Sequence, residues 1–231
     1  MPRDGTATRD RILDSAERLV LDRGFAATSV DEVIAGARSS KGAFFHHFPT
    51  KNDLGRALVA RYAGADVEHL HSFMAAAEAE TDDPAGQIVA FIRLFEEVAD
   101  DIVVEQQSSC LYVSFIHERQ LVNDGSTSVI LDAVLSWRKV LREKLAAALA
   151  GAPRAKGMDL DDLADHAFVT FEGAFILART TGDGRRMRAQ LAVLRQLLTA
   201  LFEAIGRVAR RNPGGDDWGP PDAAGREPEG G

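Results

Sequence analysis

Residues 40 to 51 read Ser40-Lys41-Gly42-Ala43-Phe44-Phe45-His46-His47-Phe48-Pro49-Thr50-Lys51. A capping serine, a lysine and two small residues describe the front of a short helix that can lie close against a nucleic-acid groove. Glycine and alanine permit close approach, and an alanine methyl can meet a thymine methyl. Pro49 ends the helix, because it lacks an amide proton and pushes Phe48 towards an extended conformation. Thr50 then caps a further helix with Asp53 as a short capping-box partner. Lys51 falls in that helix's first turn, where the dipole favours anions. A DNA phosphate shared between Lys51 and the exposed amides gives a reason for a cation there.

The elements that must position this segment are legible upstream. Ile12, Leu13, Ala16, Leu19 and Val20 form one stripe on a helix expected from Thr8 to Arg23. Gly24 fits the left-handed position past its end, and Phe25 is the apolar residue that folds back on the last turn. Ser29-Val30-Asp31-Glu32 is a capping box, so a second helix begins at Val30 and buries Val30, Val33, Ile34 and Ala37. After the Arg38-Ser39-Ser40 break a third helix runs from Lys41 to about Phe48. Two short helices joined by a tight turn make a helix-turn-helix, whose second helix enters the major groove.

On these residues, Gly24-Phe25-Ala26-Ala27-Thr28-Ser29-Val30 and then Ser40 to Leu54, the stretch from about Thr8 to Leu58 resembles the TetR family of transcriptional regulators. The resemblance implies that Lys41, Gly42 and Ala43 approach base edges and that Phe45, His47 and Lys51 touch the DNA backbone. His46 falls on the exposed, variable side. With the capping positions, the implied DNA-contact set is Thr28, Ser29, Ser40, Lys41, Gly42, Ala43, Phe45, His46, His47, Thr50 and Lys51. Phe44 and Phe48 are expected in the core. Two positions depart from the family pattern. Phe45 replaces the usual tyrosine and loses its phosphate hydrogen bond. Arg38 replaces the usual turn glycine, and arginine takes up a left-handed conformation poorly, so a rebuilt or shifted turn is expected there.

The chain has 231 residues, 45% of them hydrophobic, and a net charge of −8. It lacks long alternating strand patterns, so it is expected to be all-α: an N-terminal three-helix DNA-binding domain (1–50), a larger helical effector-binding and dimerisation domain (51–211) and a disordered tail (212–231), with about nine helices. Residues 1–61 hold ten Lys/Arg against eight Asp/Glu, a net of +2, and the remainder carries −10. A modestly basic head on an acidic body suits local, specific DNA binding and argues against a general nucleic-acid coat. No long apolar run or export signal is apparent, so a soluble cytoplasmic protein is expected.

The fourth helix is expected to reach about Ala79 and the fifth to end near Val104. A sixth is expected over Cys110 to Leu121, a seventh over Thr127 to Leu149, an eighth over Leu160 to Thr181 and a ninth over Arg185 to Arg211. The last two look like half of a four-helix bundle, completed by the same pair from a second copy. Phe168, Phe175, Leu191, Leu194, Leu198, Leu201 and Phe202 are the expected dimerisation residues, with Ile176 and Leu197 also on the apolar faces. The family usually places a small organic effector in the body. Aromatic or polar groups on mainly apolar helices make Phe91, Phe95, Cys110, Tyr112, Ser114, Phe115, His117, Trp137, His166, Phe171 and Glu172 the expected lining.

Cys110 is the single cysteine, which excludes an internal disulfide. It reads as a small buried side chain or, because it opens a helix, as a sensor of oxidants and electrophiles. His69 and His71 fall on different helix faces, and His46-His47 lacks further ligands, so no metal is expected. Neither a nucleophile elbow, a P-loop nor a dinucleotide fingerprint occurs, so no catalytic residue and no cofactor are expected. The expected function is a homodimeric, ligand-responsive repressor of a palindromic operator. An activator of the same fold, or an all-α protein-interaction module using Phe44 to Phe48, is the alternative.

Overall fold

A computed structural model describes residues 5–105, 112, 126–150, 152 and 157–211. Among them every regular element is helical: α1 (Gly5–Arg23), α2 (Val30–Gly36), α3 (Lys41–His47), α4 (Lys51–Glu80), α5 (Pro84–Glu105), α6 (Ser126–Ala148), α7 (Leu160–Thr181) and α8 (Arg185–Arg211). The expected helix over Cys110 to Leu121 lies outside the described residues, with Cys110, Ser114, Phe115 and His117, and so does the tail. Helix α1 starts at Gly5, one turn earlier than its apolar stripe suggests.

In the head, α1 buries Ile12, Leu13, Ala16 and Val20, and Gly24 ends it with φ +86° and its amide on the Val20 carbonyl at 2.8 Å. The Ser29 box is formed in full. The Glu32 amide donates to Ser29 Oγ at 3.2 Å, and the Ser29 amide donates to Glu32 Oε2 at 3.0 Å. These hydrogen bonds hold the Glu32 carboxyl below its ordinary range. Helices α1 and α2 meet closely because Gly36 has no side chain: a Cβ there would lie 2.3 Å from Ser15 Oγ. The buried Ser15 hydroxyl uses that approach to donate to the Val33 carbonyl at 3.0 Å.

The turn at Arg38 is not rebuilt, contrary to expectation. Arg38 itself takes the left-handed conformation, with φ +48°. Its amide donates to the Ala35 carbonyl at 3.1 Å and the Ser39 amide to the Ile34 carbonyl at 3.0 Å, the paired bonds of a Schellman ending. Helix α7 ends the same way, with Gly182 at φ +66° in the equivalent place. The two hydrogen bonds and the exposure of the Arg38 side chain let a β-carbon be tolerated where glycine is unstrained. An Arg38→Gly substitution is therefore expected to stabilise the protein by about 1 kcal/mol, less the extra chain entropy of glycine. That corresponds to a melting midpoint higher by about 2–4 °C, read by circular dichroism.

Helix α4 runs 30 residues from head to body. It packs on α1 through its N-terminal part and on α5 and α6 further along, burying Leu54, Leu58, Val59, Ala63, Leu70, Met74 and Ala77. Arg61 ties it to the head, donating to Asp14 at 2.7 Å and to Glu17. In the body, α8 lies against α5 and α7, and α6 against α7. Glu96 on α5 accepts from Arg195 Nε on α8 at 2.6 Å, and Asp165 on α7 takes both nitrogens of Arg138 at 2.6 Å.

Within one subunit this packing turns the expected dimerisation residues inward. Phe175, Leu191, Leu194 and Leu198 point inward and are buried, while Phe168, Leu201 and Phe202 pack partly against the same core. The faces left outside carry Val169 (62% exposed), Ile176 and Leu177 on α7, and Val193 and Leu197 (61% exposed) on α8. Both helices have apolar residues on two faces; α5 and α7 cover the richer face of α8, and α6 and α8 that of α7.

Candidate nucleic-acid interface

Helix α3 is held from behind by Phe44, fully buried, and Phe48, whose rings lie 5.9 Å apart. Its front faces solvent at Lys41, Gly42, Phe45 and His46. Ser40 caps it, accepting from the Ala43 amide at 3.1 Å. Lys41 projects into solvent, 3.9 Å from Asp31, and a Cβ built on Gly42 meets nothing within 4 Å. Phe45 and His46 are exposed beside them; Phe45 touches Phe44 edge-on at 5.2 Å. Ala43 and His47 are half-buried at the rim. The structure thus brings Lys41, Gly42, Phe45 and His46 onto one solvent-facing surface of a rigidly backed helix.

Four expected contacts are placed differently. Thr28 is 2% exposed and its hydroxyl donates to the Gly24 carbonyl at 2.9 Å, so its side chain belongs to the head's interior. The hydroxyls of Ser29 and Thr50 are engaged in their caps, donating to Glu32 and Asp53 at 2.6 Å. Thr50 lowers the Asp53 carboxyl, as Ser29 does that of Glu32. Lys51 turns back on the head, its Nζ 3.2 Å from the Ala26 carbonyl and 4.6 Å from the centre of the Phe25 ring. An intramolecular acceptor and a cation–π contact therefore account for the cation at this helix start without DNA.

Four residues of the expected effector lining pack against one another. Phe91, Phe95, Trp137 and Phe171 are all buried and in mutual ring contact, with Phe95 and Phe171 4.8 Å apart and Phe73 stacked on Phe95 at 4.3 Å. The space left beside Phe91 and Phe171, enclosed by Ile88, Leu141, Leu194 and Leu198, is about 10 Å³, too small for an organic molecule. These rings fill the core. His166 is exposed and Glu172 is half-buried one position past Phe171. Tyr112 and Trp137 reach a roomier space only through their shared partner, Asp66.

That space is a cleft of about 360 Å³ between head and body. Helix α1 supplies Glu17 and Leu21, and α4 supplies Arg61, Tyr62, Ala65, Asp66 and His69. Asp66 Oδ2 accepts from Tyr112 Oη at 2.9 Å and Trp137 Nε1 at 3.0 Å. Burial pushes its carboxyl above the ordinary range, against the downward pull of those hydrogen bonds. Sequence reasoning missed Asp66, though a signal existed: it interrupts the 3–4-residue spacing of Val59, Ala63, Leu70, Met74 and Ala77 with a lone acid. Among the described residues no group of three or more His, Cys, Asp or Glu could hold a metal ion.

With this geometry in place, comparison with known proteins gives a consistent answer. Residues 12–58 match the family model described as bacterial regulatory proteins, tetR family, and residues 84–192 match that of the transcriptional regulator LmrA/YxaF-like C-terminal domain. The chain is 23% identical to the transcriptional regulator AcuR of Cereibacter sphaeroides over 76% of this chain and 78% of that one. It is 22% identical to the HTH-type transcriptional repressor DhaR of Mycobacterium sp. (strain GP1), over 87% and 93%. A crystal structure of regulatory protein TetR from Rhodobacter sphaeroides superposes with a TM-score of 0.67 at 20% identity, covering 81% of this chain and 96% of that one. A capped helix-turn-helix head matching one model and a helical body matching the other leave one assignment: the chain belongs to the TetR family of transcriptional regulators.

Proposed function

We propose that two copies of this chain pair through the outer faces of α7 and α8 and present their α3 helices to successive major grooves of a palindromic operator. On this reading residues 1–50 bind DNA, residues 51–211 dimerise and take a small organic effector, and the effector releases a repressor from its site. The observation that carries it is the bare front of α3, with Lys41 and Gly42 uncovered on a helix fixed from behind by Phe44 and Phe48. Repression is supported by the likeness to the transcriptional repressor DhaR. Action in the cytoplasm follows from an operator as target.

The test is fluorescence anisotropy on a duplex selected from a random pool. If the two heads together neutralise six to ten phosphates, affinity falls about 10³-fold or more between 50 and 200 mM salt. Lys41→Ala is expected to weaken binding by about 1–3 kcal/mol and relax sequence preference under its side chain. Salt-independent binding, or a Lys41→Ala protein with unchanged affinity and preference, would refute the reading.

A further inference from the structure

Asp66 occupies a place in the buried stripe of α4 where the neighbouring positions carry Ala63 and Leu70. Its two hydrogen-bond donors, Tyr112 Oη and Trp137 Nε1, are neutral and share one oxygen, Oδ2. Among the described residues no lysine or arginine forms an ion pair with this carboxylate and no hydrogen bond to Oδ1 is formed; the imidazole of His69, one turn along α4, exerts only a distant pull. The buried acid of the body, Glu96, is treated differently, because it has Arg195 as its partner. A carboxylate taken out of water without a counter-ion is costly, and a bound cation removes that cost.

The cleft in front of Asp66 has the size and chemistry to admit one. Its volume of about 360 Å³ lies at the lower end of the range of small-molecule sites. Leu21 and Ala65 give it apolar wall, and Tyr62, edge-on to Tyr112 at 4.9 Å, adds an aromatic ring. Its lining holds two carboxylates, Asp66 and Glu17, against one guanidinium, Arg61, which is already engaged by Glu17 and Asp14; His69 also faces it. A monovalent organic cation suits that balance, and aromatic rings strengthen its hold. We propose that this cleft binds an organic cation, an amine or quaternary ammonium on an apolar body, with its charge on Asp66.

One wall of the cleft is α1 of the head and the other is α4, so a bound cation competes with the Arg61 links that join them. Its occupancy thereby biases how the head sits on the body, a coupling that rests on the DNA-binding reading above. The binding site itself does not rest on it.

The test uses the full-length chain without DNA, with Trp218→Phe so that Trp137 is the remaining tryptophan. Emission of Trp137, hydrogen-bonded to Asp66, reports titrations with 4-phenylbutylammonium, 4-phenylbutanol and 4-phenylbutyrate, which share one body and differ in charge. The ammonium is expected to bind about tenfold tighter than the alcohol or better, and the carboxylate more weakly than either. Asp66→Asn keeps an oxygen for Tyr112 and Trp137 to reach. It is expected to abolish the preference for the ammonium while leaving the alcohol's affinity in place. Equal affinity for ammonium and alcohol, no saturable response to the ammonium, or an Asp66→Asn protein that keeps the preference would overturn the proposal. The comparison of the three compounds needs no variant, so it decides the matter even if Asp66→Asn misfolds. Operator binding is measured separately, so the failure of either reading leaves the other measurable.

Discussion

Leu197→Glu is expected to yield a folded subunit that no longer dimerises and that loses operator affinity by about 10³-fold or more. Leu197 is 61% exposed in the subunit, so a charge there disturbs no internal packing. Val193 of α8 and Val169, Ile176 and Leu177 of α7 are likewise exposed, and a Cβ built on Gly173 meets no neighbouring element within 4 Å. A stable pairing of this kind buries about 1,200–2,000 Å² in total. In a two-fold dimer each substitution enters the interface twice, placing two unpaired carboxylates in an apolar seam at a cost of several kcal/mol. A lone head then binds without the second half-site, and the gain from linking the two modules, about 10²–10⁴-fold, is lost. Light scattering at micromolar concentration gives the mass, circular dichroism checks the fold, and anisotropy gives the affinity. A Leu197→Glu protein that remains dimeric would show that the copies meet elsewhere. Phe175→Glu is the contrasting control: that side chain is buried inside the subunit, so its variant is expected to lose stability whatever the oligomeric state.

Phe44→Ala is expected to cost about 3–5 kcal/mol, a large share of the stability of an ordinary domain. The side chain is 0% exposed, meets Phe45 and Phe48 in ring contact, and is the one residue of the seven-residue α3 that is buried. A helix that short has little stability of its own and depends on its packed face. The substitution leaves a void behind the surface that faces DNA and frees α3 to shift. Hydrogen exchange is expected to show lost protection across α1 to α3 with less change in α5 to α8, and operator binding to fall with it. Protection and melting within about 0.5 kcal/mol of wild type would mean that α3 is held by something other than this ring.

The head was legible in the sequence because its signals are local. Ser29 with Glu32, Thr50 with Asp53, and Gly24 before Phe25 each set a helix boundary through bonds spanning a few residues, and each is formed. Arg38 misled for an instructive reason. Residue preference argued for a different turn, but the two Schellman hydrogen bonds and the close docking of α2 on α1 at Gly36 hold the backbone where arginine is strained. Thr28 was misplaced because a hydroxyl beside a capping serine gives no sign of which way it turns.

The body was legible as helices and not as surfaces. Helices α7 and α8 are apolar on more than one side, and periodicity cannot say which side the rest of the body will cover. The aromatic residues of the body were equally ambiguous. Whether Phe91, Phe95, Trp137 and Phe171 surround a space or fill it depends on distances between helices far apart in sequence, and here they fill it. Asp66 was overlooked because a single acid in a long helix is ordinarily solvated. Its burial depends on Tyr112 and Trp137, 46 and 71 residues away.

Thirty helical residues at 1.5 Å each make α4 a rod about 45 Å long that begins at the head and runs along the body. Pivoting such a rod by about five degrees sweeps its far tip through about 4 Å, so a side-chain adjustment near one end becomes a displacement larger than a hydrogen bond at the other. Lys51, anchored on Ala26 and Phe25, keeps the first turn of that rod fastened to the head, so little of the motion is lost in slack at the joint.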